Sequence, residues 1–112
     1  MAFEKIVDVK GDGKYQIDPQ IKAFTLRDLG FTENNAGAYS QTFMLEPDKG
    51  FDLSRKLKIT FKGDLSAFKI SILTANQALN INIFKDEKNK ALVEQYRFYI
   101  QSLIDRQVIK KI

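Results

Sequence analysis

Arg55, Lys56, Lys58 and Lys62 place four positive charges along one short segment that carries no acid. Charge at that density can lie along a phosphate backbone or meet an acidic partner, because Lys and Arg release counterions when they neutralise phosphates. The segment also has a plainer explanation. Leu57, Ile59 and Phe61 alternate with Lys56, Lys58, Thr60 and Lys62, so a strand here buries one face and leaves a basic face in water. Lysines on a sheet edge also keep it from pairing with other chains. Nucleic-acid binders usually set exposed rings or glycine-rich loops beside the charge, and the lysine-bearing phase holds no aromatic residue. A solvated strand face is therefore expected, with a nucleic-acid-binding module as the alternative.

The acidic candidates are Asp8, Asp12 and Asp18, with Asp12 between Gly11 and Gly13. No D-x-[DN]-x-[DN]-G run occurs, so the pattern is that of a turn and not of a Ca²⁺ loop. A carboxylate pair can do acid/base work, but nothing in the spacing selects a pair. Gly11-Asp12-Gly13-Lys14 lacks the glycine spacing and following helix of a phosphate loop. Histidine and cysteine are both absent from the 112 residues. Their absence excludes Ser/His/Asp and Cys/His nucleophilic sites, Cys/His zinc sites, CxxC redox pairs and disulfides. No catalytic residue, metal ligand or cofactor is assigned, and non-enzymatic binding is the expected function.

These residues need a scaffold, and the bulk composition provides for one. A length of 112 residues suits one domain spanning 1–112, and 44% hydrophobic residues including 9 Phe suit a packed core. The net charge of +4 is a mild excess, so its distribution matters more than its total. No apolar run is long enough to cross a membrane, and the first residues lack the apolar run of a signal peptide. The expected location is the cytoplasm.

Residues 3–18 read as a hairpin: Phe3, Val7 and Val9 share a phase, Gly11-Asp12-Gly13 turns, Tyr15 and Ile17 resume, and Pro19 ends the strand. Phe24–Phe31 reads as a short helical turn with Thr25 as N-cap, Asp28 closing a capping box, Phe24 and Leu29 as a staple, and Gly30 as the left-handed C′ residue. Glu33–Gly37 is a loop. Strands are expected through Tyr39–Leu45, Leu57–Phe61, Phe68–Ile72 and Leu79–Ile83, broken at 47–50, 63–64 and 76–77, as an antiparallel meander. From Asp86 to Ile109 one long helix gathers Leu92, Val93, Tyr96, Tyr99, Ile100, Leu103 and Ile104 into one arc, with Lys110 and Lys111 beyond it. Phe98 falls opposite that arc and is a candidate anchor for a protein partner or a homodimer. Tyr96 and Tyr99 need polar partners beneath the helix, which leaves a small-ligand site between helix and sheet as a further alternative.

With Thr25-Leu26-Arg27-Asp28-Leu29-Gly30-Phe31 read out, the chain resembles the small lactobacillal proteins of domain of unknown function 1831. Met1-Ala2-Phe3, Ala36-Gly37-Ala38, Leu57-Lys58, Asn82-Ile83-Phe84-Lys85 and Glu94-Gln95 support the resemblance nearly end to end. It implies an α+β fold in which a curved, mostly antiparallel sheet of five or six strands carries one short helical turn and a long C-terminal helix, similar to the TATA-binding-protein arrangement. It implies no known activity and no catalytic residues. The family is also associated with the neighbourhood of cysteine desulfurase and tRNA-thiolation enzymes. Without cysteine, this chain would be an accessory protein there and not a sulfur carrier.

Overall fold

The computed structural model describes residues 3–112; Met1 and Ala2, which open the Met1-Ala2-Phe3 stretch, lie outside the described residues. The fold is α+β, with antiparallel strands, a short helix and a long C-terminal helix as expected, and the strands divide between two sheets. β1 (Ile6–Val9) and β2 (Gly13–Ile17) form the first hairpin, with Val7 opposite Tyr15 and Val9 opposite Gly13. Val7, Val9 and Tyr15 point to the core and Ile6 to solvent, which is the alternation expected of a half-buried strand. Gly11, at φ +92°, makes the turn, whereas Gly13 already belongs to β2. Phe3 is not part of this hairpin: Glu4 pairs with Phe68 of the other sheet, and Phe3 lies against Lys69 there.

The short helix α1 (Ala23–Asp28) starts three residues earlier than expected, with Lys22 in place of Thr25 as an N-cap lacking any side-chain cap bond. Thr25 is inside the helix and buried, so neither the cap nor the capping box forms, and Phe24 is left exposed. The C-terminal expectation holds. Gly30 has φ +94°, its N–H donates to Arg27 O at 3.0 Å, and Phe31 N–H donates to Leu26 O at 2.9 Å, which together are a Schellman closure.

The second sheet runs in the order β3 (Thr32–Glu33), β4 (Tyr39–Met44), β5 (Lys56–Phe61) and β6 (Phe68–Leu73). Its inner face carries Leu57, Ile59, Phe61, Phe68, Ile70 and Ile72, all buried. Leu79–Ile83 does not form a regular strand but runs beside the end of β6: Thr74 N–H donates to Leu79 O at 3.0 Å, Ile81 N–H donates to Ile72 O at 2.9 Å, and one bridge ties Asn80 to Leu73. Leu79 is exposed, Ile81 packs at the core margin and Ile83 is fully buried. Side-chain bonds to Asn76 and Asn82 turn the chain on either side of this segment, an alternative that Asn offers the backbone.

The long helix α2 (Lys90–Asp105) follows a 3-10 turn, Glu87–Asn89, whose Lys88 N–H is capped by Asp86 at 2.9 Å. It buries Leu92, Tyr96, Ile100 and Leu103, with Val93, Tyr99 and Ile104 at the margin, as its periodicity requires. It ends at Asp105 and not near Ile109. Val108 and Ile109 are fully buried, and β7 (Ile109–Lys111) completes the first sheet against β2. Lys110 and Lys111 are thus strand residues and do not sit on the helix C-terminus.

Candidate functional site

The four basic side chains of residues 55–62 do not share one face. Arg55, just before β5, donates to Glu46 from Nε at 2.8 Å and to Asn89 at 3.2 Å, and this ion pair holds the Glu46 carboxyl down at about 2. Lys56 is buried: its ammonium donates to Ser54 O at 2.8 Å and Ala75 O at 2.6 Å and lies 4.5 Å from the Phe51 ring centre. The loops flanking β5 and β6 fold over that end of the sheet, so Lys56 serves as a clasp between them and is unavailable to phosphate. Lys62 is exposed beyond the end of the strand. Only Lys58 stands on the open sheet face, half-buried. Phe98 is 64% exposed on α2, as its position predicts, with its ring edge-on to Tyr99.

Asp12 does more than occupy a turn. Its side chain is 1% exposed, and one carboxylate oxygen accepts from Tyr15 Oη at 2.5 Å and Tyr96 Oη at 2.8 Å. The other faces Arg97 at 3.2 Å and Lys111 at 3.9 Å. Burial, reinforced by the bond to Asp12, pushes the Tyr15 phenol up to about 12, and the same two causes push Tyr96 up further. Both phenols stay neutral donors. Every polar atom in this cluster has a partner, so its chemistry is that of a clamp joining the hairpin turn to α2 and β7. Tyr99 finds its partner in Met44 O at 2.9 Å.

Two half-buried lysines without an ion pair among the described residues lie on the outer face of the second sheet. In β5 and β6, Lys58 is opposite Ser71 and Thr60 opposite Lys69, which makes Lys58 and Lys69 diagonal neighbours on one face, about 7–8 Å apart at the backbone. A groove of about 420 Å³ runs over them. Its floor adds the hydroxyls of Ser40, Thr60 and Ser71, and its rims add the side-chain amides of Asn34, Gln77 and Asn80. Among the described residues no Asp or Glu lines it, and neither Lys58 nor Lys69 forms an ion pair. Phe3 flanks it, with its ring centre 4.8 Å from the Lys69 ammonium.

Both rims are built turns. Asn34 Oδ1 accepts from the N–H groups of Ala36 and Ala38, and Asn76 Oδ1 accepts from Thr74 Oγ1 and Ala78 N–H. Gln77 sits at φ +61°, a left-handed conformation that costs a non-glycine residue about 1–2 kcal/mol and is kept where the surroundings impose it. Lys69, Gln77 and Asn80 were not among the sequence candidates. The alternation of Phe68, Ile70 and Ile72 does place Lys69 on an outer face, but the register that sets it beside Lys58 is a pairing between strands.

No group of three or more metal-ligating side chains forms among the described residues, nor is any helix long and apolar enough to cross a membrane. The fold and groove define a small α+β domain of two antiparallel sheets with a carboxylate-free polar cleft on one of them. The model of DUF1831, described as “Putative amino acid metabolism”, matches residues 1–110. The chain therefore belongs to the DUF1831 family. It is similar to a DUF1831 family protein from Lactobacillus plantarum whose crystal structure is solved, at 34% identity and a TM-score of 0.88, over 100% of this chain and 99% of that one. A search of the curated proteins finds no match.

Proposed function

We propose that this protein is a non-enzymatic binding module that holds a small anionic ligand in the groove over Lys58 and Lys69. One observation carries the reading: two half-buried lysines share a concave face whose lining holds hydroxyls and amides but no carboxylate. Like charges at that spacing repel, and an anion between them relieves the repulsion while accepting charge-assisted hydrogen bonds. The cleft is within the size range of small-molecule sites, and the rims formed by residues 34–38 and 77–80 enclose it on two sides. The family description, amino acid metabolism, fits a ligand bearing carboxylate or phosphate.

The reading replaces the sheet-to-helix cavity of the sequence-based alternative, because the side chains between α2 and the second sheet form one continuous buried cluster. The test is a titration of ¹⁵N-labelled protein with inorganic phosphate, compared with a Lys58→Met/Lys69→Met variant. Saturable shifts at Lys58, Lys69 and Ser71 that vanish in the folded double variant are expected. Shifts that persist in that variant overturn the reading. So does an RNA oligonucleotide that saturates the same residues far below the phosphate concentration, which would favour a nucleic-acid face.

A further inference from the structure

We infer that the ligand of this groove is a compact dianion, a dicarboxylate or a phosphate monoester, and not a zwitterionic amino acid. The inference rests on the anion-binding reading above and narrows its substrate class. Lys58 and Lys69 both line the cleft as diagonal neighbours, within reach of one small ligand, so a ligand with two negative charges can pair with both.

The α-ammonium of an amino acid would need a carboxylate or several free acceptors. The lining has no carboxylate; Asn34 Oδ1 already takes two backbone N–H bonds at 2.9 and 3.0 Å, and the remaining side-chain acceptors, on Ser71, Gln77 and Asn80, are neutral and carry no charge to offset an ammonium. Ser40 Oγ and Thr60 Oγ1 are 3.2 Å apart and bond to each other. An ammonium in this cleft would therefore face two like charges without a counter-charge. Specificity of this kind is a penalty on the wrong ligand as much as a gain for the right one. Leu73 and Phe3 give the cleft an apolar margin suited to a short carbon chain. In a chemistry that handles amino acids, such a ligand is the dicarboxylate left when an acidic amino acid loses its amino group, or a phosphate monoester that carries no amine.

The experiment titrates the full chain with succinate, with ethyl phosphate and with γ-aminobutyrate, which keeps the four-carbon length of succinate but replaces one carboxylate by an ammonium. Affinity is read from groove amide shifts and by calorimetry. Succinate or ethyl phosphate should bind at least tenfold more tightly than γ-aminobutyrate, and the tighter of the two identifies the source of the dianion. Lys58→Met and Lys69→Met, made singly so that the apolar stems remain, should each cost about tenfold toward the dianion and little toward γ-aminobutyrate. If γ-aminobutyrate matches succinate while phosphate still saturates the groove, the dianion inference fails and the anion site stands. If no anion, phosphate included, saturates the groove, the anion reading itself fails.

Discussion

Replacing Asp12 by alanine should be among the most damaging single changes at a polar residue of this protein, although the residue sits in a Gly-Asp-Gly turn. The carboxylate is 1% exposed and satisfies the phenols of Tyr15 and Tyr96, which are themselves 2% and 0% exposed. A buried donor left without a partner costs about 1–3 kcal/mol, and bonds to a charged acceptor lie at the upper end of that range. Two phenols orphaned together set a cost of about 3–4 kcal/mol, with Arg97 and Lys111 contributing little because they are about half exposed. Against a typical total of about 5–15 kcal/mol this is a large share, and it should lower the melting temperature by about 12–16 °C. Asp12→Asn keeps one acceptor oxygen in the same place and should cost about 1–2 kcal/mol. Tyr96→Phe removes one donor from a carboxylate that retains three partners and should cost about 1 kcal/mol. Urea unfolding followed by circular dichroism measures all three. A loss below about 1 kcal/mol for Asp12→Ala, or an asparagine as costly as the alanine, would refute the clamp.

Gly11→Ala meets both a φ of +92° and the Phe84 Cβ at 2.8 Å, so it should cost about 2–4 kcal/mol. Gly50→Ala, at φ +79° but in open space, should cost only about 1 kcal/mol in the same denaturation assay. Equal losses at the two glycines would show that the Phe84 contact does not matter. Glu46 has its carboxyl lowered from 4.5 to about 2 by Arg55, so the ion pair stabilises the fold fully above pH 4.5 and is lost as pH falls through about 2. With screening at Arg55 and Lys49 the contribution is about 1–2 kcal/mol. The stability gap between wild type and Glu46→Gln should narrow over that acid window, and a gap independent of pH would contradict the assignment. Lys56→Met leaves Ser54 O and Ala75 O without their ammonium donor and should lower the urea midpoint by the equivalent of about 1–3 kcal/mol. Lys62→Met, on the exposed loop, should stay within about 0.5 kcal/mol of wild type; equal midpoints for the two lysine variants would count against the clasp.

Local patterns in this chain were readable wherever one residue's environment follows from its near neighbours. The alternation at 57–61 and 68–72 gave strands with their inner faces correctly assigned, and the 3.6-residue stripe of α2 gave its buried arc and its exposed Phe98. Gly30 stopped α1 as a left-handed residue must. What misled were segments in which a distant contact outweighs the local preference. Ile109 continues a helical stripe, yet β2 offers its backbone a strand partner, so the helix ends at Asp105. Thr25 is a good cap by type, but the tertiary position of Leu26 and Phe31 lets the helix begin earlier and buries it.

By itself, then, the sequence determined the fold class, the two helices, the faces of the main strands and the exclusion of thiol and imidazole chemistry. Tertiary structure alone decided which charges are free. Lys56 and Lys58 are two residues apart on the same strand face, and one is sealed against carbonyls while the other opens on a groove, because loops from elsewhere in the chain cover only one end of the sheet. The partner that turns Lys58 into a site, Lys69, is set beside it by strand register, and Asp12 becomes a clamp only because Tyr96 arrives from α2. Charge and residue type are local properties; solvation and pairing are properties of the packed chain.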